Sequence, residues 1–347
     1  MTITLNGTSG VTTPGVTNTG NETITGTLTA GSFNAASTFG FKNRLINGNI
    51  STDQRNAGAS QTFTAGAALA YCVDRWYGYC TGANVTGQQI AGAYTSSQYR
   101  YQFTGAASVT AIGFGQRIEA KNSFDLANTT ATLSCYISNS LLTTVTWTAY
   151  YANSTDTFGT LASPTRTQIS TGTFTVSSTR TQYTTSISIP SAATTGIEIV
   201  FTVGAQTSGT WIIDSIQLEP GSVATTFDYR PYTTELSLCQ RYLPVQQLSN
   251  GQQAQFMGMC TSTSQAYINV PFSVTARTAP TGFTITSGTL TAATSNGGAG
   301  GGTAAFNTAQ ATQGQISISG ASGLVAGNAT YIRTTSDGTL YWTGCEL

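Results

Sequence analysis

From residue 42 to residue 231 the chain alternates short apolar, β-branched runs with clusters of Gly, Asn and Ser. Nowhere in that span do apolar residues hold the three-and-four spacing of an amphipathic helix. Runs such as 99–103 (YRYQF), 111–119 (AIGFGQRIE), 131–137 (ATLSCYI), 143–151 (TTVTWTAYY), 182–189 (QYTTSISI) and 196–203 (GIEIVFTV) predict strands. The run 211–219 (WIIDSIQLE) is dense enough in apolar and β-branched residues for a buried strand, and Pro220-Gly221 ends its ladder by removing a donor and permitting a turn. Regular turn spacing favours two antiparallel sheets packed as a jelly-roll sandwich over a propeller. Trp76 and Trp147 lie within strand-like runs, which predicts core packing for both.

The flanks differ from this middle. Residues 1–40 hold short period-2 segments, such as 2–5 (TITL) and 22–29 (ETITGTLT), each too short to bury a core alone and each punctuated by turn residues. Such segments gain stability by pairing edges between chains, so the segment predicts an intertwined trimeric stalk or an arm docked on a neighbouring protein, with a flexible leader as the alternative. Residues 211–242 read as a strand, an extended tether and the start of a new unit. In 232–347 one helix is predicted at 234–243 (TELSLCQRYL), with Leu236, Cys239 and Tyr242 or Leu243 on one face and Pro244 as its limit. Strands follow at 255–259, 266–272, 282–285, 315–319 and 329–333, and the glycine run 296–302 is expected to be a mobile loop. The reading is therefore all-β in three parts: an attachment or stalk segment 1–40, a jelly-roll sandwich 41–231 and a C-terminal β-sandwich 232–347.

Charge changes the picture of function rather than of fold. Only 7% of residues are charged, 13 basic against 13 acidic, so solubility rests on hydroxyls and amides. With no Lys/Arg cluster to track phosphates, nucleic-acid binding is set aside. No run of 18 apolar residues predicts membrane insertion, and the start MTITLNGTSG lacks the basic and apolar parts of a secretory signal. The six cysteines are scattered without a CxxC pair, which argues against a thiolate metal site. Cys72 and Cys80 permit a bridge only if the strand reverses between them; folding in a cytosol favours free, buried thiols.

Several motifs resemble a family of phage tail-fibre and virion proteins. Residues 41–49 (FKNRLINGN) with Asp53, Gln54 and Arg55 are similar to its "NRLING(N/D)...QR" segment, and 71–76 (YCVDRW) to its "Y.ADRW" strand. The stretch 211–242 is similar to "QLE.G..AT.F..RP" followed by "E..LCQRY", which in that family closes a jelly-roll module and opens a C-terminal one. Val270-Pro271-Phe272, 276–280 (ARTAP) and 342–347 (WTGCEL) resemble the family's later runs, although Ala276 stands where Met is expected. The match spans roughly residues 41–347 and carries no host-receptor signature. It implies a place in a virion and leaves the ligand open; with the strand pattern of residues 1–40, the reading is a tail-fibre protein made in a host cytoplasm, homotrimeric, joined to other virion proteins through residues 1–40 and adhering to a host surface glycan. A capsid-decorating or head-fibre protein is the alternative.

Candidate chemistry is sparse. The chain has no histidine, so the commonest general base is missing and Ser-His-Asp or Cys-His catalysis is excluded. A glycosidase needs two facing carboxylates. Glu119 with Asp125 straddle a loop, while Asp214 and Glu219 lie an odd number apart on one strand, which sends them to opposite faces. A polysaccharide-degrading tailspike is thus the lesser reading, and no enzyme activity or cofactor is expected. A structural Ca²⁺ would draw on Asp53, Asp214 and Asp228 as oxygen ligands, without a DxDxDG loop to support it. Glycan binding needs aromatic faces with Asn, Gln and Thr nearby; the C-terminal unit offers Phe256, Tyr267, Tyr331 and Trp342 beside the glycine run.

Overall fold

The computed structural model describes residues 41–94, 97–250, 256–294, 298 and 300–347. The stalk expectation for residues 1–40 lies outside the described residues. The first twelve strands are β1 (Gln61–Phe63), β2 (Ala70–Tyr71), β3 (Tyr77–Thr81), β4 (Val85–Tyr94), β5 (Ser97–Thr104), β6 (Ala111–Ile118), β7 (Thr130–Asn139), β8 (Thr144–Ala152), β9 (Arg166–Thr175), β10 (Thr181–Ser188), β11 (Ile197–Val203) and β12 (Thr210–Pro220). They form two six-stranded sheets, ordered β1-β4-β5-β12-β7-β10 and β2-β3-β6-β11-β8-β9, with antiparallel pairings throughout. This is the expected sandwich. Its core is an aromatic stack: Trp76 lies on Phe114 at 4.7 Å, Phe114 on Tyr101 at 5.1 Å, and Phe103 on Trp211 at 5.3 Å between ring centres. Trp76 precedes β3 rather than lying in it, yet it is fully buried and its Nε1 donates to the Asn47 carbonyl (2.9 Å).

Strand β12 shows why alternation alone misplaces side chains. Trp211, Ile213, Ile216 and Leu218 all enter the core, so the inward parity changes between Ile213 and Ile216. The change is a β-bulge at Asp214/Gln217, with Ser215 at φ 49°. Asp214 and Glu219 therefore share the outer face, opposite Tyr136 and Thr132 of β7, and the expectation of opposite faces is corrected. Pro220 is the last paired residue, and Gly221 turns at φ 107° while donating to the Thr130 carbonyl (2.8 Å).

The second part begins with α2 (Tyr232–Gln240), close to the expected helix, after a short helix α1 (Ala120–Ser123) within the sandwich. Strands β13 (Val245–Leu248), β14 (Met257–Cys260), β15 (Gln265–Pro271), β16 (Gly282–Ile285), β17 (Leu290–Ala292), β18 (Gly301–Gln310), β19 (Gln313–Ala321), β20 (Ala329–Thr334) and β21 (Gly338–Thr343) follow. One sheet is β13-β21-β16; the other is β17-β20-β14-β15-β19-β18. The larger sheet curls until its ends approach, with Gly300 donating to the Ala292 carbonyl (2.8 Å), so it nearly closes as a barrel. Where the glycine run 296–302 is described, its end is strand rather than loop: Gly301 opens β18, and Ser322 N donates to the Gly300 carbonyl (2.7 Å).

A polar junction joins the two cores, and the segment 221–231 is not a free tether. Arg230 donates to the Asn43 and Leu45 carbonyls and to Glu235, and Glu235 in turn accepts from Asn47 N. Glu119 accepts two bonds from Arg241 (2.7 and 3.0 Å) and one from the Tyr242 hydroxyl (2.9 Å). Glu346 pairs with Arg55 (2.8 Å) and Arg75. All six cysteines are buried and free, as compartment logic favoured. Burial pushes the Cys72 thiol up to about 12 and the Cys345 thiol to about 11. Among the described residues no helix is long and apolar enough to cross a membrane.

Candidate functional site

The four glycan candidates divide between inside and outside. Trp342 is fully buried at the centre of the second core, ringed by Phe272, Phe283 and Phe306 at 5.4 to 6.2 Å, and its Nε1 donates to Gln246 (3.0 Å). It offers no ring face to a ligand. Phe256 is half-buried against the same core. Tyr267 and Tyr331 lie on the same face of one sheet without touching: β14 runs between their strands, with Met259 opposite Tyr267 and Met257 opposite Tyr331.

The three cation candidates do not come together. Asp53 caps its own turn by accepting from Asn56 N (3.1 Å) and Gly58 N (2.8 Å). Asp214 receives both Arg180 nitrogens, Nε at 2.9 Å, and Asp228 accepts from Asn43 N at 3.2 Å. Each carboxylate is committed to a local structural bond, and among the described residues no group of three His, Cys, Asp or Glu could hold a metal ion. The carboxylate pairs are similarly engaged. Glu119 is held by Arg241 and Tyr242 while Asp125 pairs with Arg44. Glu219 accepts from Gln217, from Thr225 N and from the Thr225 hydroxyl.

A second surface was not singled out from sequence. On β3, Cys80 enters the core while Tyr77 and Tyr79 lie on the other face of the sheet, opposite Gly115 and Gly113 of β6, with Tyr77 fully buried there and Tyr79 partly exposed. The Tyr79 ring lies over Gly113 so closely that a Cβ there would stand 2.1 Å from it, and Tyr77 crosses Gly115 in the same way. Glycine at these two positions lets the rings lie flat on the sheet. Across the next strands the register continues Gly113 into Thr202, Thr146 and Thr173, and Gly115 into Val200, Thr148 and Thr171. The Thr148 and Thr171 hydroxyls bond each other (3.0 Å). The result is a shallow shelf with half-exposed Tyr79 at one side and threonine hydroxyls along its floor.

One end of the shelf is walled by charge that is fully internally paired. Glu198, completely buried, accepts from Arg117 Nε (2.8 Å), Arg166 and the Tyr77 hydroxyl (2.7 Å). Burial works against the Arg166 charge, but the Glu198 carboxylate more than offsets it and holds that guanidinium above its ordinary pKa. Arg166 also lies over the half-buried Tyr150 ring, 4.1 Å from its centre. Burial, with Tyr150 and Glu198 adding, raises the Tyr79 phenol, so it stays a neutral donor near pH 7. The available signal in the sequence was YGY at 77–79 against GFG at 113–115, complementary alternations that only strand pairing brings face to face.

No protein-family model and no curated protein sequence matches the chain. Among solved structures it has distant similarity to carbohydrate-binding modules. A CBM4 module is 16% identical, with 50% of this chain and 98% of that chain covered at a TM-score of 0.32. The family 11 carbohydrate-binding module of a Clostridium thermocellum cellulosomal cellulase is 12% identical, covering 49% and 99% at 0.30. The enzymatically active domain of bacteriophage CBA120 tailspike protein 4 is 16% identical, covering 52% of this chain but only 22% of that chain, at 0.31. Likenesses this remote leave the ligand to be argued from side chains.

Proposed function

We propose that the chain is a non-enzymatic, saccharide-binding subunit of a phage particle, of tail-fibre type, that holds the virion to a host surface glycan. The observation that carries this reading is the shelf on the outer face of β3, β6, β11, β8 and β9. A ring laid flat on the sheet stacks on the apolar face of a sugar, and the adjoining threonine rows exchange hydrogen bonds with its hydroxyls. Such a site is shallow and wet, so single contacts are weak. A homotrimer, with several trimers on one particle, converts weak sites into firm attachment by raising effective concentration. Glu198, the carboxylate at the shelf, is buried and engaged by three internal donors, which leaves it out of reach of a bound sugar as an acid or base.

The reading is tested by presenting the full-length chain to an array of host surface polysaccharides, with Tyr79→Ala and Tyr150→Ala as variants. Each variant is expected to weaken binding by roughly tenfold, the scale of one lost aromatic stack, while the fold persists. Unchanged binding in both would remove the shelf from the argument. Light scattering on the full chain and on a chain lacking residues 1–40 checks the oligomer: a trimer that dissociates on truncation is expected, and a monomer in both cases rejects it. Antibody labelling of purified particles places the chain on the tail or, if the label covers the shell, makes it a decoration protein.

A further inference from the structure

The outer face of the larger C-terminal sheet is organised in rows. Tyr331 of β20 stands opposite Met257 of β14, and continuing the β14–β15 register by one residue sets Met257 beside Asn269. Asn269 faces Gln315 of β19, which receives the side chain of Asn307 from β18. The neighbouring row runs Met259, Tyr267, Ser317. Met257 and Met259 are 65% and 53% exposed, figures that set them apart from the buried apolar residues on the inner face. Half the face is thus aromatic and thioether, and half is amide and hydroxyl.

The amide half is preorganised. Asn307 Nδ2 donates to Gln315 Oε1 (2.6 Å), and Gln315 Nε2 donates to Asn269 Oδ1 (2.9 Å). The two bonds couple the three amides into one direction, which leaves a donor at one end of the chain and an acceptor at the other, here the Asn269 amino group and the Asn307 side-chain carbonyl. A small cavity of about 70 Å³, lined by Asn269, Thr308, Gln313 and Gln315 among others, closes this side. On the other half, Gln265 Nε2 donates to the Tyr267 hydroxyl (3.2 Å), which lays that ring along its own strand.

We infer that this face is a second saccharide site, taking a neutral oligosaccharide laid across the strands from Tyr331 to Asn307. The ring faces and methionines take its apolar sides, and the ordered amides take its hydroxyls. Both rows are free of charged side chains, and the one cation near them, Arg333, stands outside them, two residues beyond Tyr331 on the same face of β20. Five strands span about 19 Å, and two rows cover only a few hundred Å², well below the roughly 800 Å² that each partner of a stable protein interface buries. That extent fits an extended sugar chain rather than a second copy of the protein. The inference rests on the adhesion reading for its biological sense, but on different residues.

Calorimetric titration of the full-length chain with maltohexaose, cellohexaose and xylohexaose tests it, with Tyr331→Ala, Asn269→Ala and Tyr79→Ala as variants. Two sites per chain are expected for at least one hexaose. Tyr331→Ala and Asn269→Ala each weaken one site by tenfold or more, Tyr79→Ala weakens the other, and Tyr331→Ala in the Tyr79→Ala background leaves neither. Asn269 is exposed, so its variant keeps the test open should Tyr331→Ala disturb the fold. If Tyr79→Ala abolishes all binding, or no hexaose binds, the second site is rejected. If Tyr79→Ala changes nothing while the other variants act, the shelf fails and this face stands. A fall in molecular mass for the Tyr331→Ala chain in light scattering would make the face a contact between copies and overturn the inference.

Discussion

Arg75 sits at φ 72°, a conformation unfavourable for a side chain with a Cβ, and the surrounding contacts hold it there. Its guanidinium is 1% exposed, lies 3.5 Å from the centre of the Tyr242 ring, donates to the Arg117 carbonyl and pairs with Glu346. Arg75→Ala is expected to destabilise the chain by about 3 kcal/mol, because it leaves Glu346 short of a partner in a largely dry site. Arg75→Lys should recover little of that, since an ammonium lacks the planar fork; urea unfolding measures both. Beside it, burial raises the Asp74 carboxyl to about 7, with Arg55 and two Gln54 donors pulling the other way and Glu346 adding to the rise. A carboxyl whose folded pKa lies above its unfolded value stabilises fully below the unfolded value, and that contribution is lost as pH rises through about 7. Stability measured from pH 5 to pH 8 should therefore fall more steeply for the native chain than for Asp74→Asn.

At the scale of elements, paired strands decide which side chains are available. Gly113→Ala places a Cβ 2.1 Å from the Tyr79 ring, and that ring, at the surface, swings away. Saccharide binding should then fall about as far as in Tyr79→Ala, roughly tenfold, with a stability change near 1 kcal/mol. The same substitution at Gly314 meets the Trp342 ring at 2.2 Å inside the core, where nothing can swing. It should destabilise by about 2 to 3 kcal/mol without touching the shelf, a contrast that thermal melts and binding curves resolve. These elements also show what could be read in advance. The dense run at 211–219 and the helix before Pro244 were legible because burial and backbone chemistry leave local traces. The bulge in β12 leaves none, since Asp214, Ser215 and Ile216 look like any other strand residues until Ile213 and Ile216 are both seen in the core.

For the whole molecule, the motifs that resemble phage virion proteins converge on the junction rather than on either candidate face. Arg55, Arg75, Arg230 and Arg241 bind across or along it, the Asn43 carbonyl accepts from Arg230 and Asn47 N donates to Glu235. Four ion pairs, Arg55 and Arg75 with Glu346, Arg230 with Glu235 and Arg241 with Glu119, lie at this junction and tie the two cores together within residues 41–347. Glu346→Ala leaves Arg55 and Arg75 without their shared carboxylate and should weaken the junction by about 3 to 5 kcal/mol. Scanning calorimetry is expected to resolve two transitions in place of a single one, the C-terminal core melting first; an unchanged single transition would mean that apolar contacts hold the junction instead.

The resemblance therefore speaks to architecture, and the ligand is left to surfaces that the motifs do not reach. By itself the sequence determined the all-β class, the sandwich, the helix at the start of the C-terminal part, the absence of histidine chemistry and the free buried thiols, because alternation, turn residues and composition act locally. Tertiary structure alone decided that Trp342 belongs to the core while Tyr267 and Tyr331 share a face, that Asp53, Asp214 and Asp228 serve separate turns and pairs, and that Tyr79 lies on Gly113. The physical reason is common to all three: a strand's period assigns two faces, but only its partners in the sheet, and the bulges between them, settle which face meets water.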